Sequence, residues 1–217
     1  MLTEARWNLL RKVAFLGGVH DAQARAWLHG RWDIAPDVLA IEAFKIHGRY
    51  YTYFGPWPAV LRLPVLMVTH RLDGRLTIIS MLLAAAVVLV CASRIHWRLR
   101  TLMRPDAPVG RGDIALAALV PFGVAMGSIV TFLGSRPLVY HEMELWGVGG
   151  ALATADASMR YLARPTVRQA AWCGLAATVT LMSRPSVGFG AVITVLIVFL
   201  FFQRQIISGL TAGAVKR

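Results

Sequence analysis

The groups that could do chemistry are carboxylates, guanidiniums and phenols, and they fall in a few short stretches. Asp21 and Glu42 sit in a mixed, charged N-terminal part. Arg49, Tyr51 and Tyr53 belong to Gly48–Pro58, where Tyr50 to Phe54 places four aromatic rings in five residues. Arg62 interrupts the apolar stretch from Trp57 to His70. Tyr140, His141, Glu142 and Glu144 cluster at the start of a later apolar stretch, and Arg184, followed by Pro185, stands between two more. Carboxylates suit proton transfer. Guanidiniums can grip a phosphate through paired hydrogen bonds.

Each group also has a plainer reading. Arg184 has no acid near it in sequence and reads either as a phosphate ligand or as a headgroup anchor. Arg62 could snorkel to the surface or point at an anionic ligand. Tyr140 and Glu144 are i,i+4 neighbours, and Gly147 and Ala151 continue their helical face. That small-residue face leaves room for a ligand or for a packed helix, the second being commoner. Acids at positions 142 and 144 also suit a solvated helix N-terminus. Asp156 predicts an i,i+4 pair with Arg160. The aromatic stretch reads as a membrane-surface loop that helps build a site or as an aromatic belt.

Metal chemistry has little to stand on. His20-Asp21 and His141-Glu142 are isolated pairs, and no HExxH or CxxC spacing occurs. No metal ligand is assigned, and the cofactor, a divalent cation included, stays open. P-loop, dinucleotide-binding and nucleophile-elbow motifs are absent. Cys91 and Cys173 lie inside apolar runs and are expected as small buried groups, not as a disulfide.

The elements that must position these groups are apolar helices. The chain is 57% hydrophobic and only 16% charged, with mean hydropathy +0.57; soluble domains carry about 25% charged residues. An all-α, polytopic transmembrane bundle follows, with about five spans: Leu76–Ser93, Ile114–Ser135, Pro137–Met159, Gln169–Ser183 and Pro185–Gln203. Residues 57–217 form this membrane part. Residues 1–56 form an external or interfacial region of short helices, one from about Asp21 as N-cap to Gly30, another from Pro36 to Phe44. Lys45 to Arg49 reads as a turn and Tyr50 to Phe54 as extended. Trp57–His70 is short for a span and predicts an interfacial half-helix, which would place the N-terminal region inside if it crossed instead. Met1 to Val19 offers no spanning helix and no cleavage site, so no leader is expected.

The net charge of +12 has a topological origin. Arg94, Arg98, Arg100, Arg104 and Arg111 follow the first span; Arg160, Arg164 and Arg168 follow the third; Arg204, Lys216 and Arg217 follow the fifth. The intervening segments hold only Arg71, Arg75, Arg136 and Arg184. The positive-inside rule therefore predicts a cytoplasmic C-terminus and an external face for the candidate residues. Basic residues spread between apolar stretches do not make a nucleic-acid surface, and no nucleic-acid partner is expected.

Asp21–Arg31 resembles a recurrent segment of bacterial polytopic glycosyltransferases of the GT-C type. Gly48–Ala59, continuing through Leu61-Arg62-Leu63-Pro64, is similar to an aromatic Gly-Pro loop of that family. Tyr140–Gly147 and Ser183-Arg184-Pro185 match further recurring features, so the resemblance covers about residues 20 to 200. It implies transfer of a sugar from a polyprenyl-phosphate carrier to an acceptor outside the cytoplasmic membrane. It implies that Asp21, or second Glu42, is the acid that takes the acceptor proton or orients acceptor and metal. Arg184 and Arg62 would hold the carrier phosphate. Tyr140, His141, Glu142 and Glu144 would line the sugar or acceptor pocket, with Arg49, Tyr51 and Tyr53 shaping the substrate site. Family members usually have a spanning helix before the Asp-bearing loop, more spans, and often a soluble external domain. The chain thus looks like a partial member, for which a membrane-protein partner could supply missing helices. The alternatives are a non-catalytic membrane scaffold and a component of a lipid-carrier transporter.

Overall fold

A computed structural model describes residues 8–13 and 15–214, with side chains as far as Phe201. Arg6, Lys216 and Arg217, and the side chain of Arg204, lie outside the described residues. The protein is all-helical, at 70% helix, with one small hairpin among the described residues.

The N-terminal part departs from the expected outline in instructive ways. Helix α1 spans Val19–Leu28 with Gly18 at its cap, so Asp21 lies inside the first turn and is not the cap. Its carboxylate instead accepts the backbone N–H groups of Gly74 and Arg75, at 2.5 and 3.1 Å. Helix α2, Pro36–Leu39, stops at Ala40, whose φ of +50° breaks the expected longer helix. A 3-10 turn, Ala40–Glu42, follows. Strand β1, Phe44–Ile46, then pairs antiparallel with β2, Arg49–Tyr51, with Lys45 opposite Tyr50. His47 and Gly48, at φ +48° and +82°, make the two-residue turn that such a hairpin needs.

Helix α3, Trp57–Val68, has 12 residues and a length of about 18 Å, short of a bilayer core of roughly 30 Å. Helix α4, Thr77–Met103, is the described helix long and apolar enough to cross a membrane. It runs well past Ser93, so Arg94, Arg98 and Arg100 stand on helix and not in a loop. The apolar stretch Ile114–Ser135 is divided into α5, Arg111–Met126, and α6, Ile129–Leu133. Ser128 causes the break by capping α6, its Oγ accepting the Val130 N–H at 3.2 Å. Helices α7 (Val139–Ala163), α8 (Val167–Ser183) and α9 (Pro185–Ala214) complete the fold.

Helix α7 packs against α4 and α8, and α8 against α9. Trp146 Nε1 donates to Ser80 Oγ at 3.0 Å near one end of α4 and α7, and Arg98 meets Asp156 near the other, so these two helices run parallel. The first end gathers α1 to α3, the starts of α4, α7 and α9, and the end of α8. The second end gathers the arginines of α4 and α7. Cys91 and Cys173 are buried free thiols.

Candidate functional site

Two clusters meet at the first end. The inner one centres on Arg62, whose side chain is 2% exposed beside Asp21 and Glu142 at 3% and 1%. Its Nε donates to Asp21. One terminal amino group donates to the Pro58 carbonyl at 2.8 Å and lies 2.8 Å from Glu142 Oε1. The other donates to Glu142 Oε2 at 3.0 Å and Thr77 Oγ1 at 3.2 Å. Four guanidinium N–H groups therefore have hydrogen-bond partners, and Glu142 Oε1 adds an ion-pair contact while accepting no hydrogen bond itself. A charge this buried persists because two carboxylates surround it.

The same environment shapes its neighbours. His20 is buried with Nδ1 3.3 Å from Gln23 Oε1. Burial holds it neutral and pushes its pKa down to about 4, with Glu142 opposing the shift and Arg62 adding to it. Burial pushes the Asp21 carboxyl up, against the pull of Arg62 and the Gly74 N–H. Asp21, Arg62 and Glu142, expected as base, phosphate ligand and pocket lining, thus form one closed ion-pair network.

The outer cluster is accessible. The Tyr53 hydroxyl donates to Glu42 and lies 3.2 Å from the Tyr140 hydroxyl. Tyr140 and Tyr53 both hydrogen-bond the Glu42 carboxyl and hold it below the usual carboxylate range. Arg184 Nε lies 2.8 Å from Glu144 Oε1, each side chain about one-third exposed, at 34% and 31%. The Arg184 charge also acts on Tyr53. Glu42, Tyr53, Tyr140, Glu144 and Arg184 accordingly share one patch.

The aromatic loop joins the clusters. Phe54 is buried, with its ring edge-on to Tyr140 at 5.2 Å and to His20 at 6.4 Å. Gly55 N–H points to Met143 Sδ at 3.1 Å. On its other side Gly55 lies so close to the Met182 and Ser183 carbonyls that a side chain would overlap them. The loop is therefore pinned between α7 and the end of α8.

Three expected site residues sit apart. Arg49 is exposed on the hairpin opposite Ile46. Tyr51 pairs its ring with Phe44 at 6.2 Å. His141 lies 3.0 Å from the Arg136 carbonyl and packs on Phe132. The small-residue face of α7 holds a helix end and not a ligand: Gly150 abuts Thr180 and Gly147 abuts Arg184. Gln23 and Thr77 carry no local mark in the sequence, and His20 stands out there only as an isolated pair with Asp21. An apolar groove of about 470 Å³ runs between α3 and α4, lined by Leu61, Val65, Ile79, Leu83 and Trp146, with Arg62 also in its wall. Among the described residues no cluster of His, Cys, Asp or Glu could hold a metal ion.

Comparison with protein-family models, curated proteins and solved structures finds no match to this chain.

Proposed function

We propose that the protein is a multi-pass bacterial membrane glycosyltransferase of GT-C type that moves a sugar from a polyprenyl-phosphate carrier to an acceptor outside the cytoplasm. The observation that carries this reading is the outer patch, where Tyr53 links the ionised Glu42 carboxylate to the one-third-exposed Arg184, itself paired with Glu144. The α3–α4 groove at the same end supports it, being apolar enough for a prenyl chain. In the reaction the acceptor hydroxyl attacks the anomeric carbon and passes its proton to Glu42. The bond from that carbon to the phosphate oxygen breaks, and the departing phosphate keeps the electron pair beside Arg184. Glu42 serves here in preference to Asp21, which is buried and already paired. Arg62 positions Asp21 and Glu142, leaving the phosphate to Arg184.

The charge pattern supports a topology with the site outside and the C-terminus in the cytoplasm. A cysteine at Ser135 should then react with an external reagent and one at Thr101 should not; the reverse overturns the topology. Transfer from a polyprenyl-phosphate sugar by the reconstituted chain should be lost in Glu42→Gln and in Arg184→Gln. Retention of transfer in both variants overturns the assignment. A folded chain that transfers nothing favours the second reading, a non-catalytic membrane scaffold, which the self-contained Arg62 network supports.

A further inference from the structure

The second end of the bundle carries chemistry that this reaction does not use. Asp156 of α7 is 2% exposed and faces three guanidiniums. Arg98 donates from Nε at 2.6 Å, while Arg94 and Arg160 stand within ion-pair distance at 3.2 and 3.4 Å. The sequence predicts only the Asp156–Arg160 pair; α4 adds two cations to it. One carboxylate cannot neutralise three arginines, so a positive excess remains at the helix–helix seam. Arg94 and Arg98 both precede the last turn of α4. Compensation of the helix dipole, which acts within that turn, therefore does not account for them.

A groove of about 750 Å³ opens beside these arginines. Arg94 and Arg98 stand at its rim and Trp97, Leu102, Met159 and Leu162 line it. Trp97, Leu102 and Leu162 are exposed. An anion-binding rim continuous with an apolar trough matches one amphipathic ligand class, a headgroup phosphate attached to an acyl chain. Asp156 has a clear part in this. It accepts the Arg98 Nε–H and draws Arg94 and Arg160 to the same seam, and its single charge leaves two guanidinium charges for a second anion.

We propose that this groove binds an anionic glycerophospholipid, its phosphate held by Arg94 and Arg98 and an acyl chain lying along Leu102, Met159 and Leu162. The site rests on the membrane reading of α4 and not on sugar transfer.

Native mass spectrometry of the full chain in detergent tests it, using phosphatidylglycerol and phosphatidylcholine with identical acyl chains. Phosphatidylglycerol should be retained preferentially. Arg94→Gln and Arg98→Gln should each weaken retention roughly fivefold. Because those changes also disturb the Asp156 pairs, Thr101→Trp provides the second arm: it fills the groove and leaves the four charges in place. It too should abolish the preference for phosphatidylglycerol. Equal retention of the two lipids, or unchanged retention in Thr101→Trp, overturns the proposal. Displacement of the lipid by equimolar glycerol phosphate also overturns it, replacing the lipid with a soluble anion. None of these readouts depends on transferase activity, so loss of one proposal leaves the other standing.

Discussion

Arg62 and Glu142 stand 80 positions apart in sequence and meet within 2.8 Å, with both side chains almost fully buried. That contact ties α3 to the first turn of α7, and Asp21 extends it to α1. A buried arginine between two acids behaves as a strut: remove one partner and the others are left charged and unpaired in a poor solvent.

Arg62→Met should therefore destabilise the protein by about 3–5 kcal/mol, leaving Asp21 and Glu142 uncompensated. Combining it with Asp21→Asn and Glu142→Gln should recover much of that loss, because no bare charge remains. Thermal unfolding in detergent reads both effects. An unchanged midpoint in Arg62→Met would show that the network is not a strut.

His20 makes stability depend on pH. Its folded pKa of about 4 lies below the unfolded value of 6.5, so the unfolded chain binds the extra proton between these values. Its contribution is thus present above pH 6.5 and is lost as pH falls toward 4, reaching about 3 kcal/mol in full. Asp21, with its carboxyl pushed up, acts with the opposite sign. The comparison of wild type with His20→Gln isolates the histidine: the variant should lose less stability than wild type between pH 7 and pH 5.

Much of this arrangement was readable in the sequence, and the unread part has a physical pattern. The apolar stretches gave the helices of the bundle, because burial and helical hydrogen bonding act locally. The break at Ser128 was missed because a hydropathy run does not register a side chain that caps a helix. The extension of α4 to Met103 was missed for a related reason. Arg94 and Arg98 read as a loop until Asp156, 58 residues from Arg98, is seen to pair with them. Polarity picked out Asp21, Arg62 and Glu142 as special. Their mutual pairing is a tertiary fact that no local pattern announces. Glu42, ranked second by resemblance, is the more accessible carboxylate, and the phenols that hold it ionised, Tyr53 and Tyr140, lie on separate elements that no local pattern joins.

Gly55 tests how firmly the aromatic loop must sit. Gly55→Ala places a methyl against the Met182 and Ser183 carbonyl oxygens, which belong to backbone and cannot rotate away. The expected cost is about 1–3 kcal/mol, together with a looser Tyr53 and weaker protection of its hydroxyl. Gly112→Ala, which meets nothing within 4 Å and lies in α5, should hold the unfolding midpoint or raise it slightly. If both variants unfold alike, the loop is not clamped to α8.

The last prediction concerns the acid assigned to proton transfer. Glu42 is held below the usual carboxylate range first by Tyr140 and then by Tyr53, each donating a hydrogen bond that favours the ionised form. Removing a donor must raise its pKa toward the ordinary value. Tyr140→Phe and Tyr53→Phe should each shift the acid limb of the transfer rate upward, and the double variant should shift it further. A carboxyl-selective ¹³C titration of Glu42 gives the same ordering without needing activity. The sign is fixed: the base is ionised over a wider acid range in wild type than in either variant. If the acid limb moves while the Glu42 titration does not, another carboxylate is the base. If the titration moves and the limb stays, Glu42 is held in the patch without taking the proton.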